Sequence, residues 1–219
     1  MNNETVKDSS AQADLVVKPT ATKSPITFGQ TGVQLASLED AFRFAKAICE
    51  SGFAPRGMEK PESVLIALQW GAELGLTPMA GLQNIAVVNG RPALFGDAAL
   101  ALVRSSGQLE DYKEDEVGEA GKDSYGFKVT VKRKGQSAQF ETFTIADAKA
   151  AKLWGKSGPW TDYPRRMLKF RARGFVLRDT FGDVLKGLRT AEEARDMPAE
   201  PVNVTPLQEK VSAGLTTNL

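Results

Sequence analysis

Residues 125–144 read YGFKVTVKRKGQSAQFETFT, and their alternation decides the fold. Phe127, Val129 and Val131 alternate with Lys128, Thr130 and Lys132, the period-two pattern of a strand with one buried face. The pattern predicts a strand from Tyr125 to Arg133, a tight link at Gly135, and a returning strand from Gln139 to Thr144. Leu109–Val117, just upstream, is a third strand-like run. Downstream, a short helix from Ile145 to Leu153 and the loop WGKSGPW lead into a helix spanning Tyr163 to Phe181. There Met167, Phe170, Gly174, Leu177 and Phe181 fall in one arc at helical spacing. Three antiparallel strands followed by a long helix predict an α+β fold in which that helix backs the sheet.

The residues before the sheet form a helical region and a β-hairpin. Ser37 is placed to cap a helix from Leu38 to Cys49, with Glu39 and Asp40 in its first turn and Gly52 beyond its end. A second helix runs from Pro61 to Leu74 and stops at Gly75, and Thr77-Pro78 opens a short third one. IAVVNGRPALF reads as a hairpin, because Asn89-Gly90 suits a two-residue turn in which both residues take positive φ. Asp97 is placed to cap the helix AALALVRSS, which Gly107 closes. This organises the chain as a disordered arm over 1–36, one core over 37–189, and a flexible tail over 190–219 that could hold a short helix.

Composition narrows the chemistry. The 219 residues are 42% hydrophobic and 25% charged, the balance of a chain that builds a packed core. There is no histidine, which removes the commonest general base and metal ligand. Cys49 is the only cysteine; it lies on the apolar pattern of its helix and has no imidazole to activate it, so it reads as a small buried hydrophobe. No signal pattern or membrane-length apolar run is visible, and the expected location is the cytoplasm.

One motif invites a wrong conclusion. Residues 150–157, AAKLWGKS, fit a loose phosphate-binding loop, but that motif needs a strand before it and a helix N-terminus after it. Here a helical pattern precedes and Gly158-Pro159 comes next, so nucleotide binding is not expected.

The net charge of +1 conceals a strong separation along the chain. Residues 145–178 hold nine cations against two acids, a local charge of +7, whereas 109–123 hold seven acids against two lysines, a local charge of −5. On a helical wheel Arg165, Arg166, Lys169 and Arg173 share an arc of about 100°, with Arg171 and Arg178 on another flank. Exposed cations on a helix are ordinarily a solvated face, but such faces mix signs and this one carries almost no acid. Trp154, Trp160 and Tyr163 lie just ahead, and rings beside cations suit single-stranded nucleic acid, with phosphates neutralised and bases stacked. Trp160, directly after Pro159, reads first as a core or loop anchor. The candidate DNA-binding set is therefore Lys152, Lys156, Trp160, Tyr163, Arg165, Arg166, Lys169, Arg171, Arg173 and Arg178. Opposite charges on one chain also suggest head-to-tail attraction between subunits.

Residues 62–107, ESVLIALQWGAELGLTPMAGLQNIAVVNGRPALFGDAALALVRSSG, resemble the signature of the RecT-like phage single-strand annealing proteins. A second block agrees in order and spacing: QFETFT, then Gly158-Pro159-Trp160, then Met167, Lys169 and Ala172, so that the resemblance covers roughly 40–188. It implies annealing without ATP or other cofactor, with Mg²⁺ at most a DNA counterion. It also implies ring or filament oligomers on single-stranded DNA and the nascent duplex, an exonuclease partner and the host single-strand-binding protein. Lys169 stands where the family pattern carries a lysine.

Other readings of the residues stay open at this point: a passive single-strand-binding or mediator protein, a virion structural protein, or a nuclease holding Mg²⁺ on Glu110, Asp111, Glu114, Asp115 and Glu116. Strand alternation sends neighbours in that acidic run to opposite faces, which favours a charged sheet edge or subunit contact.

Overall fold

The computed structural model describes residues 26–29 and 32–197. The chain opens with a small hairpin, β1 (Thr27–Gly29) and β2 (Gly32–Gln34), followed by α1 (Leu38–Glu50), α2 (Pro61–Glu73) and α3 (Pro78–Asn84). A second hairpin, β3 (Ile85–Val88) and β4 (Arg91–Leu94), leads to α4 (Gly96–Ser105). The three-stranded sheet comes next as β5 (Leu109–Val117), β6 (Gly126–Arg133) and β7 (Gln139–Thr144). Then come α5 (Ile145–Ala150), the single turn α6 (Pro159–Asp162), the long α7 (Pro164–Phe181) and α8 (Ala191–Asp196).

The sheet is antiparallel in the order β5-β6-β7, with β6 central. Its registry explains its packing. Phe127, Val129 and Val131 are buried on one face, and Phe143 of β7 sits opposite Phe127 on that face. Burying each such side chain stabilises by about 1.5–3 kcal/mol. Helix α7 packs against β6, β7 and α4, and Leu168, Phe170, Ala172, Val176, Leu177 and Phe181 are all buried. Leu168, Ala172 and Val176 recur at every fourth residue on the side away from the apolar arc read from sequence. The helix is thus enclosed on two sides.

Local signals behave as their chemistry requires. Ser37 accepts from the Asp40 N–H at 3.1 Å and caps α1, and Asn89 and Gly90 take φ of 53° and 73° at the tip of the β3–β4 hairpin. Helices α2 and α3 touch at Gly71 and Gly81, where a Cβ on Gly71 would stand 2.8 Å from the Gly81 Cα.

Four expectations need correction. Asp97 does not cap α4, whose cap is Phe95; it lies in the first turn with its carboxylate turned to α7. Helix α5 ends at Ala150 and not Leu153, because Lys152 takes the left-handed φ of 57° and turns the chain. The β1–β2 hairpin falls within the stretch expected as an arm; its strands are three residues each, too short for a periodic signal. Residues 190–197, expected in the tail, cap and form α8 on the core, where Ala191 and Glu193 are buried. Residues 1–25, 30–31 and 198–219 of the two expected tails lie outside the described residues.

Candidate nucleic acid interface

The acidic strand and the cationic helix meet inside one chain. Glu114 and Glu116 of β5 pair in register with Val129 and Phe127 of β6, so they share the face that carries α7. Arg165 Nη2 reaches Glu116 Oε1 and its Nε donates to the Tyr125 hydroxyl at 3.2 Å. Lys169 Nζ lies 3.4 Å from Glu114 Oε2. Arg166 donates to Asp97 at 3.0 Å. The charge separation expected to draw neighbouring subunits together is thus largely answered within the fold, at these residues.

Arg173 is the centre of this network. It is 5% exposed and donates from Nε to Glu114 Oε1 at 2.8 Å and from Nη1 to Asp97 Oδ1 at 2.9 Å. Tyr112 donates its hydroxyl to the same Glu114 oxygen. Burial alone would raise the Glu114 carboxyl, but the hydrogen bonds from Tyr112 and Arg173 and the nearby positive charges outweigh it and hold the pKa below its ordinary value. Burial and the adjoining Glu114 push the Tyr112 phenol well up.

Four of the ten candidates line one open groove. Tyr163, Arg165, Arg166 and Lys169 surround a space of about 370 Å³ with Phe127, Asp162 and Pro164. Tyr163 is 67% exposed, and the Arg165 guanidinium lies 5.5 Å from the Phe127 ring centroid. Pro164 at the start of α7 sets this geometry: the helix begins there, so its first two turns present Arg165, Arg166 and Lys169 to the groove.

The other six are elsewhere. Arg173 is interior, as above. Lys152 is exposed in the turn after α5 and does not line the groove. Trp160, Arg171, Lys156 and Arg178 are held by α8. Trp160 is 2% exposed and gives its Nε1–H to Asp196 at 2.7 Å, while Arg171, 8% exposed, donates to the same oxygen at 2.6 Å. Lys156 pairs with Asp196 Oδ1 at 3.0 Å and Arg178 with Glu193. Burial pushes the Arg171 pKa down despite Asp196 and Glu193. Trp160 is therefore the anchor its position after Pro159 suggests.

Phe127 as a lining residue of the groove, and Asp97, Glu114 and Glu116 as partners of its cations, were not foreseen from sequence. A signal existed for the two glutamates: they stand two apart on a strand and so share a face.

The phosphate-loop likeness lacks the motif's geometry. Beyond Ser157 lies the four-residue turn α6, and Pro159 in its first turn has no N–H to offer a phosphate. The acidic run is likewise split: Glu114 and Glu116 face arginines, while Asp115 pairs with Lys113 on the opposite face. Among the described residues, no group of three or more Cys, Asp or Glu side chains is placed to hold a metal ion, and no helix is long and apolar enough to cross a membrane.

Neither the curated proteins nor the solved structures contain a significant match to the chain. A protein-family model does match, that of the RecT family, over residues 51–205. The matched region runs from the end of α1 past α8, so it contains the sheet, the long helix and the groove between them, and the chain belongs to the RecT family of single-strand annealing and recombination proteins.

Proposed function

We propose that this protein binds single-stranded DNA and anneals complementary strands without ATP, acting as an oligomer on DNA and performing no covalent step. The observation that carries this reading is the groove in which Arg165, Arg166 and Lys169 stand beside the exposed ring of Tyr163.

The three cations already hold carboxylates, and this matters for mechanism. Exposed ion pairs are weak in water, so a strand's phosphates can replace Glu116 and Asp97 as partners at small cost. Every phosphate neutralised releases condensed counterions, which drives binding. Tyr163 offers a sequence-tolerant stacking surface worth about 1–3 kcal/mol per base. With phosphate repulsion reduced and bases held extended, a second strand can pair. A groove that holds the nascent duplex more tightly than either strand drives annealing by differential binding.

Assembly into rings or filaments belongs to the same reading, and the exposed apolar side chains Leu38, Phe53, Ile66, Met79 and Val87 are available for subunit contacts. An exonuclease that exposes the strand and the host single-strand-binding protein are the expected partners, with the cytoplasm the expected location. Annealing of complementary labelled oligonucleotides, followed with and without nucleotide, tests the reading. Equal rates in both conditions support it; strict dependence on hydrolysable ATP, or binding of each strand with no acceleration of pairing, contradicts it.

A further inference from the structure

Helix α7 has a second cationic flank, and α8 covers it. Arg171 and Arg178 point away from the groove side, and Lys156 of the preceding loop and Trp160 of α6 join them. The guanidinium of Arg171 lies 5.9 Å from the Trp160 ring centroid and 5.6 Å from that of Phe175; that of Arg178 lies 5.8 Å from Phe175. Three cations thus gather on this flank, as three do in the open groove.

The cover is acidic and held mainly by polar contacts. Asp196 receives Lys156, Trp160 and Arg171; Glu193 receives Arg178; Glu192 accepts from the Gly96 N–H at 3.1 Å. Asn89 at the hairpin tip donates to the Met197 carbonyl at 3.3 Å. The apolar contribution is small, since Ala191 is the buried hydrophobic side chain of α8 and Met197 is exposed. Removing one partner of a buried ion pair is costly because it leaves the other charge bare. Exchanging Asp196 for a phosphate avoids that cost, because Arg171 stays paired.

We infer that α8 is a displaceable acidic strap over a second strand-binding flank, where the phosphodiester backbone of single-stranded DNA takes the places of Asp196 and Glu193. This rests on the proposed strand-binding function and extends it. Helix α7 then offers one cationic surface that is open at rest and one that opens when a polyanion competes for it.

Hydrogen–deuterium exchange of the full chain, alone and with an oligothymidylate strand, tests the strap. The inference expects faster exchange at the α8 amides with DNA bound, together with slower exchange at the start of α7. Unchanged or slower exchange at α8 in the DNA complex overturns the strap while leaving the groove intact; failure of the parent to bind the oligonucleotide at all overturns the strand-binding function itself. Glu193→Gln combined with Asp196→Asn adds an affinity readout. Loss of two competing carboxylates tightens oligonucleotide binding by roughly three- to tenfold, whereas unchanged or weaker binding by the folded variant counts against the strap. If that variant does not fold, the exchange measurement on the parent decides alone.

Discussion

Arg173 in the middle of α7 and Glu114 in the acidic strand β5 form an ion pair, with Nε to Oε1 at 2.8 Å, an arginine only 5% exposed and a half-buried glutamate. Asp97 completes the arginine's partners from α4. One side chain therefore ties together the sheet, the long helix and the helix that precedes the sheet. Truncating it leaves Glu114 without its principal counter-charge, and Arg173→Ala should cost about 3–5 kcal/mol of folding stability. Arg173→Lys should recover little, because an ammonium cannot reproduce the fork that reaches both carboxylates. Denaturant unfolding measures this; a loss below about 1 kcal/mol, the range of exposed pairs, would return Arg173 to the surface.

Acid should weaken the same junction. The Glu114 carboxyl is held below its ordinary pKa of 4.5, so its contribution is fully present above that value and is lost as pH falls through the depressed folded value. Glu114→Gln should flatten the fall in stability just below pH 4.5. Asp183 provides an internal comparison: the Arg133 guanidinium holds its carboxyl down at about 2, so its contribution is lost progressively as pH falls from the ordinary value of 3.8 to about 2. Parallel stability curves for parent and Glu114→Gln between pH 5 and 3, on the order of the ordinary carboxyl range, would remove Glu114 from the acid response.

Carboxylates in the groove compete with DNA. Glu116→Gln frees Arg165 and Asp97→Asn frees Arg166, so either change should tighten oligonucleotide binding by up to roughly fivefold. Fluorescence anisotropy with a labelled strand reads this directly. Weaker binding by folded variants would mean the carboxylates position the arginines instead of competing for them.

Packing makes a separate prediction. The α2–α3 crossing has no room for a methyl group at Gly71, where it would meet the Gly81 backbone at 2.8 Å. Gly71→Ala should destabilise by about 1–3 kcal/mol, despite alanine's better helix propensity. A thermal unfolding midpoint equal to or above the parent's would show that the two helices part freely.

Much of the fold was legible because its signals are local. The alternation from Phe127 to Val131, the Asn89-Gly90 turn and the Ser37 cap each involve neighbours in sequence, and strand limits agree with expectation to within one residue. Of the candidate cations read from sequence, the groove brings together only those at the start of α7. A helical wheel treats a helix as having one core side, but Leu168, Ala172 and Val176 show that α7 is buried on a second. Arg173 meets its partner 59 residues away and Arg171 meets Asp196 across 25, separations that no periodicity encodes. The sequence allows a short helix in the tail but does not reveal its docking on the core, because AEEARD docks through its acids, and docking acids look the same in sequence as solvated ones.

The claim that Arg165 and Arg166 contact the backbone of single-stranded DNA is tested most directly by salt dependence. Oligonucleotide affinity should be measured across a range of salt for the parent and for the combined Arg165→Ala, Arg166→Ala variant. Each arginine on a phosphate contributes a slope of about −0.7 in log affinity against log salt, so the variant's slope should be shallower by about 1.4. Equal slopes for the two proteins, whatever their absolute affinities, would contradict the assignment and place the strand elsewhere on the molecule.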